Sequence, residues 1–148
     1  TAMSISAPVL LGGNNSWTIT DATTTYTVSG AVSETGGART LTKAGAGTLI
    51  LTGANSHTGT TTVSAGVLNI RHDTALGTAA GNTSVTSGAA LQIQGGISIA
   101  EPLSLNGTGI AATGALRKIF APATCRPGTS RACTAACAGA RRARARPS

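Results

Sequence analysis

The chain contains few aromatic and few charged residues. Of its 148 residues, 2% are aromatic and 10% are charged. A compact globule normally needs a thick core of aromatic and large aliphatic side chains, and this chain lacks the residues for one. Its small aliphatic residues suffice for a thin, continuous core, which favours stacked structural units over a globular domain.

Cysteine is absent from most of the chain. All three cysteines, Cys125, Cys133 and Cys137, lie in the last quarter of the sequence. The preceding body therefore needs no disulfide framework and no structural zinc site. The spacing of Cys133 and Cys137 does not fit a zinc knuckle, and no second pair accompanies it. The sequence predicts no metal and no cofactor.

Acidic residues are too few and too scattered to suggest catalysis. The chain has only four, Asp21, Glu34, Asp73 and Glu101, and they are isolated from one another. β-Helical enzymes that cleave polysaccharides need clustered carboxylates for acid and base chemistry or for calcium binding. The best local pair is His72 and Asp73, but adjacent residues on a strand point to opposite faces. We therefore predict no enzymatic activity, unless folding brings Asp21, Asp73 and Glu101 together.

The sequence also lacks targeting and membrane-spanning segments. No apolar run approaches the roughly 20 residues that a transmembrane helix requires. The first residues contain no basic region followed by an apolar core, so no signal peptide is expected. The chain begins with Thr1 rather than Met, and we expect it to be a fragment of a longer protein.

The stretch from Leu41 to Ile70 has the strongest pattern. Runs of Thr, Val, Leu and Ile are interrupted there by single glycines, and each glycine would cost about 1 kcal/mol against Ala inside a helix. The alternation predicts strands in which Leu49 and Leu51 face inward together. By the same rule Thr61 shares a face with Val63, and Leu68 shares one with Ile70.

Part of this stretch is repeated further along the chain. The segment from Val63 to Ile70 recurs from Val85 to Ile93 with one residue inserted, and both its valines and its glycines, Gly66 and Gly88, are 22 residues apart. A period near 20 residues is typical of a solenoid. One period holds two or three short strands with their corners, which is one coil of a β-helix. Further predicted strands are Val9–Leu11, Trp17–Thr20, Tyr26–Ser29, Ile97–Ile99 and Leu103–Leu105.

Several single residues have predicted structural places. Corners of a coil need positive φ, which glycine tolerates best, and we expect this conformation at Gly47 and Gly66. Trp17 is predicted to lie in the core or to seal one end, although it could also stack on a sugar. His57 is predicted to be a packed or exposed residue at a corner.

The pattern of residues 41–70 resembles the autotransporter-associated β-strand repeat, which occurs in the passenger regions of bacterial autotransporters. His57 stands where that family usually has an aromatic residue, commonly Tyr. The resemblance covers about residues 8–116 and is strongest at 41–70. The predicted structural repeat residues that carry it are Leu41, Lys43, Gly45, Gly47, Leu49, Leu51, Gly53, Asn55, Gly59, Thr61, Val63, Gly66, Leu68 and Ile70.

The resemblance implies an all-β fold, a right-handed, single-stranded parallel β-helix. The predicted length is about five coils, or a rod on the order of 25 Å. It also implies a secreted or surface-displayed passenger of a type V secretion system, at the outer membrane of a Gram-negative bacterium. The parent protein would contain further β-helix coils and a C-terminal translocator barrel.

The function that the resemblance implies is structural. The chain would be a scaffold or stalk segment related to adhesins. Two alternatives stay open. The solenoid could bind host-surface glycans or other copies of itself directly, or it could be a polysaccharide-cleaving β-helix enzyme.

The C-terminal part differs in composition from the rest. We divide the chain into a β-helical body, residues 1–116, and a tail, residues 117–148, rich in Ala, Arg, Pro and Cys. The tail has eight basic residues and no acidic one, and it is predicted to be disordered or weakly helical. It is either a non-native product of a frameshift or a real basic arm. The Arg141–Arg146 cluster would bind phosphates nonspecifically, but without an aromatic platform or recognition helix it predicts no specific nucleic-acid partner.

Overall fold

The computed structural model describes residues 1–119, which form short β-strands and no α-helix. A single 3-10 turn spans Ile110–Ala112, and no helix in these residues has the length and apolarity needed to cross a bilayer. The strands are β1 (Ala2–Ile5), β2 (Val9–Leu11), β3 (Asn15–Thr18), β4 (Thr25–Val28), β5 (Val32–Glu34), β6 (Leu41–Ala44), β7 (Thr48–Leu51), β8 (Thr61–Val63), β9 (Gly66–Ile70), β10 (Thr83–Val85), β11 (Ala89–Gln94), β12 (Leu103–Leu105) and β13 (Leu116–Ile119).

The strands form three parallel sheets. The chain visits all three in turn from β1 to β6 and then alternates between the first and the third. The first sheet has the order β1-β4-β7-β9-β11-β13, the second contains β2 and β5, and the third has the order β3-β6-β8-β10-β12. Every pairing is parallel. The predicted fold is confirmed as a parallel β-solenoid of about five turns. Its predicted right-handedness stays a prediction.

The register shows how far the sequence advances in each turn. In the first sheet Ala2 pairs with Thr25 and Thr25 pairs with Thr48, so one turn takes about 23 residues, as expected for a solenoid. The repeat in the sequence predicted that Gly66 and Gly88 occupy equivalent positions in successive turns. This prediction was wrong, because Gly66 pairs with Ala89. The extra residue lies in the corner before β11, so it leaves the inward face of the strand unchanged.

The core consists of ladders in which one inward side chain stacks on the next. One ladder of the first sheet runs through Ile5, Val28, Leu51, Ile70 and Ile93. The members from Val28 to Ile70 are at most 2% exposed. Burying each such side chain contributes about 1.5–3 kcal/mol. The aliphatic residues of the sequence are therefore sufficient to form this core, because each turn needs only a few large side chains.

The strand predictions were correct in the main and wrong in detail. Val9–Leu11 and Leu103–Leu105 are strands as predicted, but the predicted strand at Trp17–Thr20 is β3, Asn15–Thr18. Similarly, the strand predicted at Tyr26–Ser29 is β4, one residue earlier. Ile97–Ile99 is not a strand, since the backbone N–H of Ser98 is bound by the side chain of Asp73 rather than by a neighbouring strand.

The last strand crosses the predicted boundary between the body and the tail. Strand β13 pairs with β11 from Leu116, opposite Leu91, to Ile119, opposite Gln94. The proposed division at residues 116 and 117 therefore falls within a strand. The remaining tail predictions, namely disorder or weak helix, the frameshift, the cysteines and the arginine cluster, concern residues outside the described part.

Candidate functional site

The predicted repeat residues form the interior of the middle of the stack. They lie on β6 to β9 and at the corners between these strands. All of them are buried except Gly45, which is half-buried. Apart from Gly45, every odd-numbered residue from Leu41 to Val63 is buried, whereas the even-numbered residues between them are not. The alternation continues through the corners, and it changes phase only at Gly66.

Lys43 lies among these buried residues although it carries a charge. It is 1% exposed and stacks between Trp17 and Val63 in the third sheet. Its Nζ donates hydrogen bonds to the carbonyl oxygens of Ala44 (2.8 Å), Gly45 (2.7 Å) and Ala65 (3.2 Å). Burial lowers the pKa of Lys43 to about 8. The ammonium group thus joins the corners of two successive turns through carbonyl dipoles.

Asn55 joins three successive turns at the corner after β7. Its Oδ1 accepts a hydrogen bond from the N–H of Val32 in the preceding turn, at 2.8 Å. Its Nδ2 donates to the carbonyl oxygen of Ala75 in the following turn, at 2.5 Å. Asn55 is 4% exposed, so these bonds satisfy backbone groups that water cannot reach. At this corner the side chain of Asn55 therefore makes hydrogen bonds between turns like those that paired strands make elsewhere.

His57 is packed rather than exposed. The sequence had predicted one of these two environments for it. Its side chain is fully buried, with Nε2 at 3.2 Å from Oγ1 of Thr61 and with no partner for Nδ1. Gly77 of the next turn covers the ring so closely that an added Cβ would lie 3.1 Å from its carbons. Burial lowers the pKa of His57, and the nearby carboxylate of Glu34 opposes this effect.

The two glycines predicted to have positive φ differ in the structure. Gly66 has a φ of 67°, as predicted. Gly47 is not among the positive-φ residues, so that prediction was wrong. A Cβ at Gly47 would lie 2.2 Å from Cγ2 of Ile19 and 2.6 Å from the carbonyl oxygen of Asp21. Glycine is needed there because the preceding turn packs directly against the backbone.

The acidic residues do not converge on one site. The carboxylate of Asp21 is bound by the N–H and hydroxyl of Thr23 in its own turn. No group of three His, Cys, Asp or Glu side chains in residues 1–119 could hold a metal ion. Asp73 and Glu101, however, line the same cavity of about 190 Å³. The sequence named Asp21, Asp73 and Glu101 as acids that folding could bring together, and the structure places only Asp73 and Glu101 at this cavity.

The first turn contains a larger, apolar cavity. Its volume is about 330 Å³, and its lining includes Ile5, Val9, Trp17 and Tyr26. Trp17 therefore lies at the end of the described stack, one of its predicted places. The large apolar residues that are exposed in the described part all lie on β1, β2, β12 and β13, and they are Met3, Ile5, Leu10, Leu105 and Leu116.

Comparison with known proteins agrees with this architecture. Residues 41–70 match the model of the passenger-associated-transport-repeat. The chain is also similar to the adhesin BmaC autotransporter of Brucella suis biovar 1 (strain 1330), with 39% identity over 93 residues. That match covers 63% of the chain but spans only 3% of the length of this curated relative. No solved structure matches the chain.

These matches identify residues 41–70 as a passenger-associated transport repeat. The solenoid that contains the repeat is similar over 93 residues to an adhesin autotransporter.

Proposed function

We propose that the solenoid is a non-catalytic stalk segment of a passenger that is secreted or displayed on a Gram-negative cell surface. Its role is to hold other parts of a longer protein at a distance from the membrane. The repeat residues of 41–70 serve this role by keeping successive turns in register. The observation that carries the proposal is that these residues point into the core, so the repeat encodes stacking rather than a binding surface.

The contacts between turns support a mechanical role. Lys43 donates hydrogen bonds to carbonyl oxygens of its own turn and of the next, and Asn55 binds backbone atoms of the turns on both sides. The acidic residues form no cluster that resembles a polysaccharide-cleaving site. A stalk needs only that each turn present the same stacking face to the next, and the parallel register provides this.

Removal of one turn tests the stalk proposal. Deletion of residues 48–66 places Val67 in the position of Thr48, with which it pairs, and leaves the inward face in phase. We expect this variant to keep its β-sheet circular dichroism and to lose about 4.8 Å of rod length in small-angle X-ray scattering. Deletion of 48–65 is the matched control, because one residue of slip exchanges the two faces, and this variant should unfold.

A glycan array on the full chain distinguishes the stalk from a direct adhesin. The stalk proposal predicts no specific glycan binding. Specific binding that survives the in-phase deletion would contradict the proposal and place an adhesive surface elsewhere on the rod. Binding that disappears with the deleted turn, while the fold is retained, would contradict the proposal and assign adhesion to that turn.

Self-association is a second candidate function, and one observation favours it. The exposed large apolar residues of the described part are confined to the terminal strands. Strands β1, β2 and β3 also pair on one side only. An unpaired strand edge next to apolar side chains is a template for another parallel strand. A second copy or a further coil of the parent protein would continue both the ladders and the hydrogen bonds.

A further inference from the structure

The cavity shared by Asp73 and Glu101 lies between two successive turns. One wall is formed by the loop after β9, at residues 73–79, and the other by residues 99–101 before β12. Oδ1 of Asp73 accepts a hydrogen bond from the N–H of Ser98 at 2.8 Å. This bond ties the two loops together and holds Asp73 beside the segment that carries Glu101.

Glu101 lines this cavity and has one unsatisfied polar atom. The residue is 8% exposed, and its Oε1 accepts a hydrogen bond from the hydroxyl of Thr83. Its other oxygen, Oε2, is buried and has no hydrogen-bond partner. A buried polar atom without a partner typically costs about 1–3 kcal/mol, and more when it is charged.

Neither protonation state of Glu101 resolves this problem within the chain. Burial raises the pKa of Glu101, because the ionised form is poorly solvated. In the neutral form Oε1–H could donate to the hydroxyl of Thr83, but Oε2 would still be a buried acceptor without a partner. No basic side chain lines the cavity. A cation that accepts electron pairs from oxygen would satisfy Oε2 and would also favour the ionised form of Glu101.

We propose that Asp73 and Glu101 bind a calcium ion between the two loops. The ion would be held by Oε2 of Glu101 and the carboxylate of Asp73, with main-chain carbonyl oxygens and water completing six to eight oxygen ligands. The cavity is large enough for an ion and several waters at about 30 Å³ each. The lining residues offer oxygen and no histidine or cysteine, which favours a hard cation over zinc.

Calcium fits this site better than magnesium. Magnesium requires near-ideal octahedral geometry and gives up its water slowly, whereas calcium accepts irregular oxygen sites. Two carboxylates supply little charge, so the expected Kd is about 10⁻⁴–10⁻³ M, in the range of extracellular calcium modules. The ion would fix the loop after β9 to the following turn.

Titration of the full chain with calcium chloride, followed by isothermal calorimetry, tests the site. We expect one ion per chain, and at least tenfold weaker binding in Glu101→Gln and in Asp73→Asn. Asp21→Asn is the control, because its carboxylate is bound within a separate turn, and it should bind calcium as the wild type does. Melting curves in calcium and in EDTA should show a higher Tm with calcium only for the wild type and the control.

Two results would overturn the proposal. The first is the absence of calcium binding to the wild type at concentrations up to about 10 mM, ten times the weakest expected Kd. The second is unchanged one-to-one binding in both substituted proteins. If Glu101→Gln fails to fold, Asp73→Asn decides, because Asp73 is exposed and its replacement keeps an oxygen acceptor for Ser98.

Discussion

Replacing Gly66 by Ala tests whether close contact between turns stabilises the solenoid. Gly66 begins β9 with a φ of 67°. An added Cβ would lie 2.4 Å from the carbonyl oxygen of Gly45 and 2.5 Å from that of Gly47. These are backbone atoms of the preceding turn, so they cannot move aside as a flexible side chain would.

The expected loss of unfolding free energy in Gly66→Ala has two parts. An L-residue at positive φ costs about 1–2 kcal/mol, and forcing an extra methyl group into a packed site adds about 1–3 kcal/mol. Gly66→Ala should therefore lower the free energy of unfolding by about 2–5 kcal/mol. Gly88 is the matched control, because its φ is 84° but a Cβ there would meet no atom within 4 Å. Gly88→Ala should lower the free energy of unfolding only by the penalty for an L-residue at positive φ, about 1–2 kcal/mol.

Urea denaturation, monitored by far-ultraviolet circular dichroism, measures the unfolding free energies of Gly66→Ala and Gly88→Ala. Gly13→Ala completes the series, since Gly13 has no positive φ and a Cβ there would meet no atom within 4 Å. Its unfolding free energy should stay within about 0.5 kcal/mol of the wild type. Equal losses for Gly66→Ala and Gly88→Ala would show that the close approach of the turns contributes nothing. The stacking argument would then fail.

Three further predictions concern other parts of the stack. Asn55→Ala should lower the unfolding free energy by about 2–4 kcal/mol in urea, because two buried backbone groups lose their partners; a loss below about 0.5 kcal/mol would contradict this. The pKa of His57 is lowered by burial, so its contribution to stability is present above about pH 6.5 and is lost as the pH falls. The urea midpoint should therefore drop from pH 7 to pH 5, and less so in His57→Gln; identical pH profiles would refute this. Residues 1–119, which keep β13 whole, should associate end to end in sedimentation velocity, and Ile5→Lys should weaken this association; a concentration-independent monomer would argue against it.

The fold could be predicted from the sequence because its information is local and periodic. Alternation of inward residues at Leu49 and Leu51, or at Leu68 and Ile70, follows directly from strand geometry. The period near 20 residues then indicates that such strands stack. The exact equivalence of turns could not be predicted, since an extra residue before Ala89 changes the spacing without altering the pattern of inward residues.

The polar interior was harder to predict. The pattern marked Lys43 and Asn55 as repeat positions, but nothing in the sequence indicates which carbonyl oxygens in other turns they bind. Asp73 and Glu101 are far apart in sequence, and they share a cavity only because the loop after β9 packs on the next turn. Such pairings depend on loop conformations, which a strand pattern does not determine.

The direction of the hydrogen bonds between turns determines how the rod would respond to tension. Strands lie across the rod, so the bonds that join turns point along its length, and a pull on the ends loads them directly. The terminal turn, bonded on one side only, would detach first. Each detached turn of about 23 residues would release up to about 80 Å of extended chain while shortening the rod by about 4.8 Å. Under strong pull the stiff spacer would become an extensible tether that lengthens in steps and keeps its ends connected.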